Sequence, residues 1–173
     1  MAVIYRDLVA DDARLHQVAT DVRAALARGR HCLVLTQWKE HVRRLAEALG
    51  GAADEWRSEP VVLVGGMGVR ARAAAMAQLE MAATDGQVLL IATGPFIGEG
   101  FDLPVLDTLF LAAPISFPGR LVQYAGRVLR PWPGKATAEV HDYVDVEVPV
   151  LRSSLAKRAR GYTQLGFPDP RRM

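Results

Sequence analysis

Short apolar runs that alternate with helical patterns constrain the fold of this chain more than any other feature. The runs are only four to six residues long, and stretches with apolar residues at spacings of three and four separate them; a last segment, residues 138–144, alternates apolar and polar residues instead. Short strands between helices are typical of a mostly parallel sheet that is covered by helices on both faces. The sequence therefore predicts a three-layer α/β fold. The predicted strands are His31–Leu35, Val61–Val64, Gln87–Ala92, Asp107–Ala112 and Ala138–Val144.

The helical patterns have recognisable ends. Asp11-Asp12 precede the first helix, which carries Leu15, Val18, Val22 and Leu26 on one face and ends at Gly29; Gly50-Gly51 close the second. A third helix is predicted from about Val69 to Met81. Pro118 opens a fourth, which stops before Pro131, and a last helix runs from about Val148 to Tyr162. Residues 52–60 are polar and irregular. No repeat or linker interrupts the 173 residues, half of which are hydrophobic, so residues 1–173 are predicted to form one domain.

Two segments carry the functional information. The first is Ala92-Thr93-Gly94 followed by Gly98-Glu99-Gly100-Phe101-Asp102, which comes directly after a predicted buried strand. Ligands bind at the carboxyl ends of strands in open α/β sheets. The second segment, residues 123–130, places Gln123, Arg127 and Arg130 at i, i+4 and i+7, which is one stripe of a helix. Two guanidinium groups beside Gly126, which has no side chain, suit a polyanion such as a triphosphate.

These segments resemble motifs V and VI of superfamily-2 helicases, the ATP-driven motors that move on nucleic acid or separate its strands. Residues Leu33-Val34-Leu35-Thr36 resemble motif IV, and Gly65-Gly66-Met67-Gly68, followed by Arg70 and Arg72, resembles the glycine turn between motifs IV and V. The resemblance covers most of the chain and implies a RecA-like fold, with residues 1–173 as the second RecA-like, or helicase C-terminal, domain. The pattern is most similar to bacterial DEAD/DEAH-type and restriction-enzyme-type helicases.

The resemblance also implies roles for single residues. Arg127 and Arg130 would act as arginine fingers that stabilise charge on the γ-phosphate of ATP, and Gln123 would lie at the phosphates. Asp102 would contact the ribose or help to position the arginine helix, with Gly100 and Gly126 also at the nucleotide. The residues expected to contact nucleic acid, DNA rather than RNA, are Thr36, Gly65, Gly66, Arg70, Thr93 and Gly94.

Each residue also has a simpler interpretation. Thr93 could cap the backbone at the end of its strand, Asp102 could cap a turn or pair with an arginine, and a surface arginine is usually solvated. The phase of Gln123, Arg127 and Arg130 favours the functional interpretation for that segment.

Two parts of a complete motor are missing from the sequence. It has no Gly-x-x-x-x-Gly-Lys-[Ser/Thr] loop, and no strand ends in an Asp-Glu pair that could hold Mg²⁺. The resemblance implies that an N-terminal RecA-like domain, in the same chain or in a partner, supplies both, so this chain alone should not hydrolyse ATP. Two alternatives remain: a nucleic-acid-binding or regulatory module that kept the fold and lost catalysis, and a stand-alone α/β enzyme, for which no nucleophile–base pair is evident.

Charge distribution is uneven although the net charge is only +2. Residues 118–173 hold ten basic and five acidic side chains, and the final helix carries Arg152, Lys157, Arg158 and Arg160. That helix could contact nucleic acid or connect to further sequence. The single Cys32 lies in an apolar run, the four histidines lack ligand spacing, and no stretch is long enough for a membrane span. The sequence thus predicts a buried thiol, no metal site, no membrane partner and a cytoplasmic location.

Overall fold

Five parallel strands form one sheet in the computed structural model, which describes residues 2–50, 59–98, 101–115, 118–145 and 147–172. Their order across the sheet is β2-β3-β1-β4-β5. All four neighbouring pairs are parallel, as expected when helices connect successive strands. The strands are β1 Cys32–Thr36, β2 Val61–Leu63, β3 Leu89–Thr93, β4 Thr108–Leu111 and β5 Glu139–Asp142.

Seven helices lie within the described ranges. They are α1 Ala2–Ala10, α2 Asp12–Ala27, α3 Lys39–Leu49, α4 Val69–Asp85, α5 Gly94–Gly98, α6 Pro118–Val128 and α7 Pro149–Gln164. The Asp11 side chain caps α2 by accepting a 3.0 Å hydrogen bond from the Arg14 N–H.

The central strand β1 divides the core in two. Leu33 and Leu35 point into one apolar cluster, with α4, α5, α6 and α7, whereas Cys32 and Val34 point into the other, with α2 and α3. All four side chains are buried, and each large apolar side chain buried in this way contributes about 1.5–3 kcal/mol. The alternation follows from the two-residue period of a strand. The predicted three-layer α/β architecture, with Cys32 in its core, is confirmed.

Several elements and boundaries differ from the sequence prediction. Helix α1 has no counterpart in the predicted elements, because it is short and packs through Leu8 and a ring contact between Tyr5 and Trp38. The segment after β3, expected to be a loop, begins with the short helix α5. Helix α4 continues past Met81 to Asp85, and β5 is shorter than Ala138–Val144.

The end of α6 is the correction with a functional consequence. The helix stops at Val128, so Arg130 is not on the same helical stripe as Gln123 and Arg127. Pro131 explains this end, because a proline disfavours helical dihedral angles at the residue before it.

Helix α7 is fixed to the sheet by a buried ion pair. The Arg158 guanidinium is 1% exposed and donates two hydrogen bonds to the Asp142 carboxylate at the end of β5, of 2.6 and 2.7 Å. The Tyr162 hydroxyl donates a third bond, of 2.6 Å, to the same carboxylate. Burial and this carboxylate raise the pKa of Tyr162, so the phenol remains a donor. Three bonds to one carboxylate set the rotation of α7 about its axis.

Removing that carboxylate should destabilise the domain. Asp142→Ala leaves a buried guanidinium and a buried hydroxyl without their acceptor, and we expect the free energy of unfolding in urea to fall by about 3–5 kcal/mol. The triple change Asp142→Leu, Arg158→Met and Tyr162→Phe should recover much of the loss, since it leaves no charge unpaired. Asp7→Ala, at an exposed carboxylate of α1, is the matched control. A loss below about 1 kcal/mol for Asp142→Ala would contradict this account.

Candidate nucleotide and nucleic-acid site

The residues predicted to contact nucleic acid meet along one edge of the sheet. Thr36 and Thr93 end the neighbouring strands β1 and β3 and are partners in the strand register. Gly65 follows β2, the next strand outward, and its N–H donates a 3.3 Å hydrogen bond to Thr93 Oγ1. These residues come together because parallel strands finish at the same edge, which we call the carboxyl edge.

Both threonine hydroxyls already have partners inside the protein. Thr93 is 5% exposed and accepts from the Gly65 N–H, which is the capping role that the simpler interpretation assigns to it. Thr36 is 2% exposed, and its hydroxyl lies 2.9 Å from Nδ1 of His41. The Thr93 oxygen is used as an acceptor, so its hydroxyl hydrogen is the group with which it could contact a phosphate.

The glycine turn after β2 is the exposed part of this edge. Gly66 has a φ of +82°, which a residue with a side chain adopts only with strain. Arg70 lies exposed in the first turn of α4, beside the turn. Two residues later, the Arg72 guanidinium lies 4.7 Å from the centre of the Phe96 ring and so connects α4 with α5.

Gly94 joins the carboxyl edge to α6. A Cβ atom at this position would lie 2.5 Å from the hydroxyl oxygen and 3.2 Å from Cζ of Tyr124, so a side chain cannot fit without displacing the ring. Burial raises the pKa of Tyr124, which keeps its phenol neutral. The sequence analysis assigns Gly94 to nucleic acid and misses this packing role, because nothing local in the sequence indicates that Tyr124 approaches it.

A cavity of about 140 Å³ opens at the same edge. Its polar lining includes Thr36, Gln37, Arg120 and Tyr124, and Gly94 lies in its wall. The Gln37 amide is held by a 2.5 Å hydrogen bond to the Pro114 carbonyl. Gln37, Arg120 and Tyr124 were not predicted as site residues, because Gln37 follows β1 and lies far in the sequence from Arg120 and Tyr124, which are both on α6.

The arginine segment lies away from this edge. Helix α6 starts at the carboxyl edge and runs back along the sheet for about 15 Å, so Arg127 and Arg130 lie near its far end. Gln123 is exposed and Arg127 is partly exposed. A Cβ on Gly126 would meet no atom within 4 Å, so packing in this domain does not require a glycine there. The two segments are close in the sequence, but the structure places them apart. The threonines lie at the carboxyl edge, and the arginines lie near the far end of α6.

Arg130 forms an ion pair with Asp102. The two side chains are 42% and 50% exposed. This contact matches the pairing that the sequence analysis considered for Asp102, and it ties the loop after α5 to the end of the arginine segment. Gly100, which was predicted to lie at the nucleotide, is outside the described residues.

Lys135 connects the same two segments through their backbones. Its ammonium donates hydrogen bonds of 3.1, 2.6 and 2.7 Å to the carbonyls of Pro104, Leu106 and Arg130. Desolvation lowers the pKa of Lys135, while the nearby Asp107 carboxylate raises it. No local sequence pattern indicates this role, because the acceptors are backbone carbonyls and two of them lie about 30 residues away.

Replacing this lysine should loosen the arginine segment. Lys135→Met removes three charge-assisted hydrogen bonds, and we expect the free energy of unfolding to fall by about 1.5–3 kcal/mol. Lys157→Met, at an exposed lysine of α7, should change it by less than about 0.5 kcal/mol. Urea denaturation of both variants is the measurement, and equal effects would show that Lys135 does not hold the segment.

His41, at the carboxyl edge, should make the free energy of unfolding depend on pH. Burial, followed by the charges of Arg14 and Arg44, lowers its pKa from 6.5 to about 4. The unfolded chain therefore binds more protons than the folded chain between these pH values, and stability is lost as the pH falls from about 6.5 to 4.

We expect this group alone to remove about 3 kcal/mol over that interval. His41→Gln should flatten the dependence of the free energy of unfolding on pH between 7 and 4. His16→Gln, at an exposed histidine of α2, should leave the dependence as it is in the native sequence. Parallel curves for the native protein and His41→Gln would refute the assignment.

The parallel sheet, its helical layers and the order of these motifs are those of the RecA-like second half of superfamily-2 helicases. The chain belongs to the family described as the helicase conserved C-terminal domain, which matches residues 14–131.

Similar proteins fit this assignment. The uncharacterized protein 108L of invertebrate iridescent virus 3 is 38% identical over 81 residues, which are 45% of this chain and 70% of that protein. The structure of T4 UvsW has a TM-score of 0.71 at 18% identity and covers 96% of this chain. Dbp5 of S. cerevisiae, bound to RNA and ADP BeF3, has a TM-score of 0.60 at 16% identity and covers 83%. This chain spans only 35% of UvsW and 36% of Dbp5.

In the described ranges, no helix has both the length and the apolar character to cross a membrane.

Proposed function

We propose that residues 1–173 form the second RecA-like domain of an ATP-dependent nucleic-acid helicase or translocase. In this role the domain supplies an arginine finger and part of the nucleic-acid track. ATP and Mg²⁺ are held mainly by an N-terminal RecA-like domain, in the same chain or in a partner. The proposal rests on membership of the helicase C-terminal family and on the state of one side chain, Arg130.

The exposed ion pair of Arg130 is the observation that carries the catalytic part of the proposal. A pair between half-exposed side chains contributes about 0–1 kcal/mol, so a stronger anion can displace it. The γ-phosphate of a nucleotide on a facing domain is such an anion. Asp102 thus holds the guanidinium in place while the cleft is open and gives it up when the cleft closes.

In the closed state, Arg130 would donate hydrogen bonds to the phosphoryl group during its transfer. A planar guanidinium stabilises the charge that develops on these oxygens. Arg127 and Gln123, which lie on α6 before Arg130, are proposed to act at the same phosphates. Gly126 leaves open space beside Arg127, which suits the approach of a bulky phosphate group.

The carboxyl edge is the proposed nucleic-acid track. The exposed glycines Gly65 and Gly66 allow close approach of a phosphate chain, and the exposed Arg70 adds a cation. Contacts of this kind read the backbone and not the bases. DNA is proposed over RNA because the motif pattern is similar to restriction-enzyme-type helicases.

Hydrolysis by the two-domain protein tests the catalytic role. Arg130→Ala should lower the single-turnover rate by about 10³-fold, because a lost arginine finger removes that much stabilisation of the transition state. Arg130→Lys should restore little, since a point charge does not replace the guanidinium fork. The 173-residue chain alone should show no ATPase activity stimulated by nucleic acid.

Arg43→Ala is the matched control, at an exposed arginine that pairs with Glu40 and Glu47 on α3. Its hydrolysis rate should equal that of the native protein, and thermal melting should show that each variant is folded. A normal rate for Arg130→Ala would support the alternative, a binding module that has lost catalysis.

A further inference from the structure

Helix α7 exposes three of its four cations on one face. Arg158 is buried against Asp142, whereas Arg152, Lys157 and Arg160 are exposed. The sequence alone does not separate these four side chains. The structure therefore divides them into one internal anchor and three surface charges.

The exposed face of α7 is well defined. The hydrogen bonds of Arg158 and Tyr162 to Asp142 fix the helix rotation, and Leu151 and Ala159 are buried on the inner side. At 100° per residue, the three exposed cations lie within an arc of about 140°. The other exposed residues of α7 are Pro149, Ser153, Ala156, Thr163 and Gln164, none of them acidic or aromatic.

Several other arginines at the surface of the chain are neutralised by a carboxylate, and within the described ranges the exposed cations of α7 are not. Arg28, Arg43, Arg130 and Arg171 each have a carboxylate partner within ion-pair distance. For the three cations of α7, no such partner is found among the residues that the structure describes. An unneutralised basic face favours an external polyanion.

The neighbouring helix extends the charge to the carboxyl edge. Helices α6 and α7 pack against each other, and neither contains an acidic residue. Each follows a parallel strand, so both begin at the carboxyl edge, with Arg120 and Arg152 in their first turns. Arg120 and Arg152 thus lie on the side of the domain that holds the proposed nucleic-acid track, with the exposed Glu147 just before α7.

We propose that the exposed face of α7 binds the phosphate backbone of double-stranded nucleic acid. Arg152, Lys157 and Arg160 span about 12 Å along the helix, enough to reach successive phosphates of a duplex. Surfaces for single strands combine a groove with aromatic platforms on which bases stack. The convex face of α7 has neither, so it contacts the backbone without reading the sequence. This surface extends the proposed function, from which it takes the class of ligand.

Binding of a fluorescein-labelled 20-base-pair duplex to the 173-residue chain, followed by fluorescence anisotropy between about 50 and 200 mM salt, tests the proposal. The variant Arg152→Gln, Lys157→Gln, Arg160→Gln should bind about tenfold or more weakly at the lowest salt. Its slope of log K against log salt should decrease in magnitude by about 2.7, or about 0.9 for each lost contact. Two duplexes of unrelated sequence should give the same result.

The matched control removes three exposed cations elsewhere. Arg6→Gln, Arg28→Gln, Arg43→Gln has the same net charge, and its affinity should stay within about threefold of the native value. Thermal melting should show both triple variants folded, since all of these side chains are exposed. The single change Lys157→Glu provides a second measurement, because it should weaken duplex binding more than Lys157→Gln does.

Several outcomes would overturn the proposal. The first is no duplex binding by the native chain, and the second is an equal loss of affinity in the two triple variants. The third is tighter binding of a single strand than of the duplex. The fourth is equal competition by polyglutamate of matched charge, which would indicate an acidic protein partner. Arg70→Gln separates this surface from the proposed track. Weakening by Arg70→Gln but not by the α7 variant would refute the α7 surface alone, and the reverse would refute the track alone.

Discussion

Two buried arginines hold residues 112–115, the stretch of chain that precedes α6 and its arginine segment. Arg14, from α2, pairs with Asp145 at 2.6 Å, and Arg158, from α7, pairs with Asp142. Each guanidinium also reaches a backbone carbonyl of residues 112–115, one from each face of the sheet. That stretch connects β4 with α6. Breaking either pair would leave a charge in the core, so residues 112–115, which precede α6 in the chain, are fixed by interactions that are costly to lose.

The contacts of Arg130 are of a different kind. Its backbone carbonyl is tied to the loop after α5 by Lys135, whereas its guanidinium is held by an exposed carboxylate. The position of Arg130 is therefore set by a hydrogen bond to its main chain. Its guanidinium remains able to exchange one anionic partner for another. Such a division suits the proposed role, in which Arg130 is held by Asp102 while the cleft is open and released when it closes.

The sequence predicted the layers of this fold because strand and helix periods differ and the three central strands are buried on both faces. It did not predict α1 or α5, which are short and depend on contacts such as Tyr5 with Trp38. The motifs identified the threonines and the arginines. They did not show that the length of α6 separates the arginines from the threonines at the carboxyl edge. His41 and Lys135 escaped detection for a common reason: their partners are a buried hydroxyl and main-chain carbonyls, which leave no pattern in the local sequence.

The close approach of Gly94 to Tyr124 links positions that lie 30 residues apart. No methyl group fits at position 94 while the phenol hydroxyl occupies its present place, 2.5 Å from where a Cβ would be. Related sequences that carry a side chain at position 94 should therefore carry a smaller residue at position 124, and the two positions should change together. The end of β3 and helix α6 would then evolve together, because a larger residue at position 94 is accepted only with a smaller residue at position 124.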